Sequence, residues 1–203
     1  NALAEQLSEG RVRAAQEMES RVKQELVSLW MDRTRFKIQV HSVRSESALG
    51  PTGRDQVEYL LSANQGEPLL PLARVASGGE LSRVMLATKT VLAEADRVPV
   101  LIFDEVDSGV GGAVAAVMGR RLRDLADYHQ VFCITHLPQI ASQAESHFVV
   151  EKVVKQRRTV TRVKQLDQAG RQEEIARMLG GLTITAAVRQ TAAEMIGEAC
   201  RDR

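Results

Sequence analysis

The chain has 203 residues, 44% of them apolar but only 3% aromatic, so its core must be built from Leu, Val, Ile and Ala. Its 27 basic and 26 acidic residues leave a net charge of +1, which excludes a global electrostatic drive towards nucleic acid and confines any such contact to a local patch. Two cysteines argue against a disulfide framework and suit a reducing cytosol, and no apolar stretch approaches the length of a membrane span.

The chain opens Asn1-Ala2-Leu3-Ala4-Glu5-Gln6-Leu7, without an initiator Met, and reads as mid-helix, so a longer parent is expected. Helix is expected over residues 2–31, where Met18, Val22, Leu26 and Leu29 form a stripe at i, i+4, i+8 and i+11. Such a stripe suits either an amphipathic helix or the foot of a coiled coil. The domain division expected is 1–33 for that helix and 34–203 for a globular lobe.

Phe36 to Val43 alternates as a half-buried strand should, with His41 on its polar phase. Gly50-Pro51-Thr52-Gly53 is a turn, and Val57 to Ser62 a second strand, so an antiparallel pair is expected. A connector from Glu67 to Leu72 leads to Val75-Ala76-Ser77-Gly78-Gly79-Glu80, which opens a helix expected over Glu80 to Glu94. Its buried side is expected to be Leu81, Val84, Met85, Thr88, Val91 and Leu92. Val98 to Phe103 is an apolar run ending in Asp104-Glu105, and reads as a strand buried on both faces. Gly109, Gly111 and Gly112 make a turn, and Ala113 to Tyr128 a helix with Val114, Val117, Leu122 and Leu125 inward. A strand from Val131 ends at Thr135-His136, and Leu137-Pro138 starts a short helix through Ala144. This rhythm of helix and strand predicts a parallel α/β sheet. Cys133, inside the strand, reads as a small core residue.

Phe148 to Val154 and Thr159 to Leu166 read as a hairpin with Lys152, Lys155, Arg157, Arg158, Arg162 and Lys164 against the single acid Glu151. Lysines on an edge discourage unwanted strand pairing. The same residues, Lys155, Arg157 and Arg158 foremost, are also candidate contacts to DNA phosphates, without exposed aromatics for base stacking. Residues 171–180 and 185–200 complete the chain as helices.

Three stretches carry chemistry. Ser77-Gly78-Gly79 at a helix start offers outward N–H groups, the positive end of a helix dipole and room for an anion, although a plain N-cap has the same composition. Asp104 and Glu105 at a strand end must be solvated, paired or bound to metal. His136 follows the next strand, so parallel pairing would bring it to the same sheet edge, where ligands bind in open α/β folds.

Their order resembles ABC-type ATPases. Ala76-Ser77-Gly78-Gly79-Glu80 resembles the signature motif, Leu101-Ile102-Phe103-Asp104-Glu105 the Walker B strand, and His136 the switch histidine. Glu80 and Val106-Asp107-Ser108-Gly109 resemble the SMC/Rad50-like branch. The resemblance implies an α/β fold: the C-terminal lobe of an ABC/SMC-type ATPase head, with a RecA-like parallel sheet, a signature-helix subdomain, small antiparallel elements and a coiled-coil stub. It implies ATP and Mg²⁺, with Asp104 holding the metal through its water shell and Glu105 as general base. His136 would contact the γ-phosphate, while Ser77, Gly78, Gly79 and Glu80 would meet a nucleotide held by a second head. Implied partners are the N-terminal half of the same protein, a second copy joined through sandwiched ATP, and DNA, with a cytoplasmic, nucleoid-associated role in double-strand-break repair.

Two departures from the pattern stand out. Gly111 occupies the place where many ABC ATPases carry a D-loop aspartate. No Gly-Lys-Ser/Thr phosphate loop is present, since none of the six lysines follows a glycine. The isolated chain is therefore expected to be inactive. A transporter nucleotide-binding domain, which carries its phosphate loop in the same chain, fits less well. Another SMC/Rad50-like head lobe and a non-enzymatic DNA-bridging scaffold are the alternatives.

Overall fold

In a computed structural model, residues 2–43, 49–74, 77–155, 158–181 and 183–201 are described. Ala76, Gln156 and Arg157 lie outside the described residues, as does the side chain of Lys155. The long first helix, α1 (Ala2–Ser28), is the spine. Its stripe is buried as expected: Val22, Leu26 and Leu29 enter the core and Met18 packs against it. Polar side chains fasten the same helix to a three-stranded antiparallel sheet of β1 (Arg35–Ser42), β2 (Asp55–Ser62) and a short β3 (Leu70–Pro71). Ser8 and Arg11 donate to Asp55, and Glu19 accepts the backbone N–H of Ile38 at 2.7 Å. His41 is exposed, as its polar phase requires.

The end of α1 comes three residues earlier than expected. Trp30 adopts φ 58°, Trp30 N–H bonds to the Val27 carbonyl, and Met31 N–H reaches back to that of Leu26. This is a Schellman closure with buried Met31 against buried Leu26.

Helix α2 (Gly78–Leu92) starts two residues before the expected position, because Ser77 caps it. Its most buried residues include Val84, Leu86 and Ala87. Leu86 and Ala87 fall outside the expected stripe, because α2 touches both α1 and α3 and so buries a wider arc. Next come β4 (Val100–Phe103), α3 (Gly112–Leu125), β5 (Gln130–Cys133) and a single turn, α4 (Pro138–Ala141). The two strands pair in parallel, Leu101 opposite Val131 and Phe103 opposite Cys133, as the rhythm predicts.

The expectation of strands buried on both faces does not hold. Leu101 and Phe103 are buried, but Val100, Ile102, Phe132 and Ile134 are exposed, Ile102 by 71%. Helices of the described chain cover one face of β4–β5 only, so the other apolar face meets solvent. That is an unusual arrangement for a parallel pair.

The hairpin forms as expected from β6 (Phe148–Lys155) and β7 (Arg158–Gln165). Its register sorts the side chains. Phe148, Val150, Val154 and Val163 share one face, while Arg158, Arg162 and Lys164 share the other with Glu151. The final helices, α5 (Gln168–Gly180) and α6 (Ala186–Arg201), enclose a second small core of Ile175, Ala176 and Ala192 with Ala141.

Candidate functional site

The site forms where the N-terminus of α2 meets the carboxyl ends of β4 and β5. Ser77 takes an extended backbone, and its Oγ accepts the N–H of Glu80 at 3.3 Å. The hydroxyl thus performs the N-cap role open to it from sequence, at the end of the helix that favours negative charge.

The two glycines are there because backbone must come close. A β-carbon at Gly78 would collide with Oε2 of Glu105. At Gly79 it would lie 2.9 Å from Cβ of Ser108 and 3.2 Å from the carbonyl oxygen of Glu105. Behind the glycines, Ser82 Oγ donates to the Asp104 carbonyl at 2.7 Å, and Arg83 Nη1 donates to the Ser108 carbonyl at 2.8 Å. Burial pulls the Arg83 guanidinium below its ordinary value, and Glu80 opposes that shift.

Asp104 and Glu105 are both exposed. Asp104 Oδ1 accepts the N–H of Glu105 at 2.9 Å. Glu105 stands at φ 57°, a left-handed conformation that costs a non-glycine residue about 1–3 kcal/mol and recurs at functional sites. Among the described residues no three His, Cys, Asp or Glu side chains converge as a metal cage. A single exposed carboxylate suits Mg²⁺, which keeps several waters and takes its remaining ligands from substrate phosphates.

His136 is presented on the neighbouring strand end, its side chain 74% exposed. Asp107, nearly buried, takes the Thr135 hydroxyl at 2.6 Å and the His136 N–H at 3.0 Å on the same Oδ2. Nδ1 of His136 lies 3.1 Å from that oxygen. Cys133 is inert by placement: burial, then Asp107 and Asp104, push its thiol up to about 12.

Sequence reasoning named Ser77, Gly78, Gly79, Asp104, Glu105 and His136, which lie at the start of α2 and just past the ends of β4 and β5. It missed Ser82, Arg83, Asp107 and Thr135, which join those pieces. Asp107 stood in a quoted motif without a role; a carboxylate that close to an apolar strand needs donors, and Thr135 beside the histidine was an available one. The basic hairpin is a separate element, and Arg158 is exposed on it.

No family model matches. The chain is 44% identical over 195 residues to the DNA repair protein RecN of Vibrio cholerae, an alignment that covers 96% of this chain and 35% of that protein. RecN of Treponema pallidum is 44% identical over 200 residues, covering 97% and 35%, and RecN of Bacillus subtilis is 40% identical over 197 residues, covering 91% and 34%. The chain thus spans about a third of the length of the relatives it matches. Among solved structures, the Smc head domain with coiled coil and joint from Pyrococcus yayanosii superposes with TM-score 0.53 at 15% identity, over 81% of this chain and 29% of that one. The Smc head with an extended coiled coil, bound to the C-terminal domain of ScpA, from Pyrococcus furiosus gives TM-score 0.53 at 16% identity, over 78% and 36%. The fold is that of the SMC head.

Proposed function

We propose that this chain, which belongs to the RecN family of DNA repair proteins and corresponds to its C-terminal part, is one lobe of an ATPase head that works in double-strand-break repair. One observation carries the reading: the capped glycine helix, the acid pair and the exposed histidine meet where α2 starts and β4 and β5 end. ATP hydrolysis at such a site is mainly positioning and charge stabilisation.

Each residue has a task within its reach. Asp104 would hold Mg²⁺ through water, and the ion supplies charge neutralisation of the phosphates. Glu105 accepts a proton from the attacking water. His136 contacts the terminal phosphate. Ser77, Gly78 and Gly79 present the N-terminus of α2 to a nucleotide on a second head, with Glu80 closing the first turn.

The open apolar face of β4–β5 is the seat of the remaining lobe. Val100, Ile102, Phe132 and Ile134 are 40%, 71%, 46% and 60% exposed, and burying them would remove apolar area from water. The added lobe would supply the phosphate loop this sequence lacks, and α1 would continue as a coiled coil. Two heads joined through ATP would then bridge DNA, in the cytoplasm and on the nucleoid.

The test compares the chain alone with the complete protein. The chain should neither bind ATP tightly nor release phosphate, and the complete protein should do both. In the complete protein Glu105→Gln keeps size and polarity but removes the base. Turnover should fall by roughly 10²-fold or more, while an ATP-bound dimer accumulates on sizing chromatography. Robust hydrolysis by the chain alone would refute the half-site, and full activity of the variant would remove Glu105 from the mechanism.

A further inference from the structure

We propose that Asp107 is the positioning residue for His136, fixing the ring so that only Nε2 faces the nucleotide phosphates; this rests on the ATPase reading above. Asp107 does not itself touch nucleotide. It follows the acid pair by two residues, yet it turns inward and its side chain is 6% exposed. A nearly buried carboxylate needs donors to offset its lost hydration. All those found here come from the loop after β5. The Thr135 hydroxyl donates at 2.6 Å, the His136 N–H at 3.0 Å, and His136 Nδ1 stands 3.1 Å away. Thr135 Oγ1 in turn accepts the N–H of Leu137 at 3.0 Å, so the residues on both sides of the histidine are held as well.

The consequence for the ring is chemical. A carboxylate oxygen 3.1 Å from Nδ1 favours a proton on that nitrogen by its charge, and what one ring nitrogen faces decides what the other can do. Nε2 is left on the far side of a ring that is otherwise 74% exposed. An exposed histidine without such a partner would sample several rotamers, each costing entropy to select at the moment of reaction. Asp107 settles that choice in advance. It also links the histidine to the loop that carries Ser108, whose carbonyl is held by Arg83 of α2.

Two measurements test this. The chain has four histidines, His41, His129, His136 and His147, so ¹⁵N-histidine NMR can resolve the tautomer of each. His136 should carry its proton on Nδ1 in the wild-type chain, and Asp107→Asn, which keeps the volume but removes the negative charge, should weaken that preference towards the Nε2–H form. In the complete protein, Asp107→Asn should lower kcat roughly ten- to hundredfold with KM for ATP little changed. In a His136→Gln background the same substitution should cost nothing more, because its effect runs through the ring. A wild-type His136 protonated on Nε2, or a further loss in the double variant, would overturn the proposal even in an active enzyme. If Asp107→Asn fails to fold, the wild-type tautomer alone decides. A complete protein without ATPase activity would instead overturn the function, and with it the catalytic part of this role, while the spectra would still report on the Asp107–His136 pair.

Discussion

The hydroxyl of Ser82 donates to the carbonyl oxygen of Asp104 across 2.7 Å, tying the second turn of α2 to the end of β4. With Arg83 held to Ser108 one residue further on, the glycine helix and the acidic strand end form one mechanical piece. Disturbance at the glycines must therefore be felt at the acids.

Glycine 79 is the sharpest test of that tie. Gly79→Ala places a β-carbon against Ser108 and the backbone of Glu105, and overpacking of this kind costs about 1–3 kcal/mol. The melting temperature should drop, and turnover of the complete protein with it. Gly10, in the interior of α1, has open space around it. There the same change should stabilise by about 1 kcal/mol through helix propensity alone. Equal effects at the two positions in thermal melts would deny the close approach at Gly79.

Trp30 pays for its left-handed backbone without gaining burial, being 72% exposed at φ 58°. Trp30→Gly should raise stability by about 1 kcal/mol, since glycine removes the steric cost of that conformation at a Schellman position. Chemical denaturation would read the change as a higher midpoint at constant slope. A lower midpoint would mean that the indole makes contacts worth more than the strain.

Asp55 gives a pH signature at the seam between α1 and β2. Hydroxyls of Ser42 and Ser8, and then Arg11, hold its carboxyl down from 3.8 to about 2 against the opposing effect of burial. A carboxylate with a lowered folded value binds fewer protons when folded than when unfolded, so stability falls as pH falls. Its contribution should be complete above about pH 4 and fade as pH drops towards 2. Asp55→Asn should flatten this part of the stability–pH curve; an unchanged curve would place the acid sensitivity elsewhere.

The hairpin's basic face can be tested by salt. If Lys155, Arg157 and Arg158 meet DNA phosphates, replacing all three by Ala should weaken binding and shallow its dependence on salt, because fewer counterions are released. The register adds a second set, Arg162 and Lys164, on the same face as Arg158, and their loss should act in the same direction. Lys152 points to the opposite face and serves as the control. Unchanged affinity and slope in both sets would leave the charges as edge protection.

Much of this was legible in the sequence, for physical reasons that differ by element. Strand β1 announced itself because one of its faces is wet, so its pattern alternates. Ser77 announced α2 because a cap is a local interaction, three residues long. What failed to show was long-range. The run from Val98 to Phe103 looks the same whether its second face is buried in this chain or left for another, and the composition of a strand cannot say which. Leu86 and Ala87 were misjudged because α2 is packed from two sides, a property of its neighbours. Asp107 was hidden because its donors lie 28 and 29 residues away.

Trp30 is the only tryptophan in the chain. It lines the same recess as Arg83 and the glycine-rich loop of residues 109–111. A single fluorophore therefore stands beside α2 and the loop that follows the acid pair. Its emission comes from one known site, with no second indole to subtract, so wavelength and quenching can follow that loop in real time without any label.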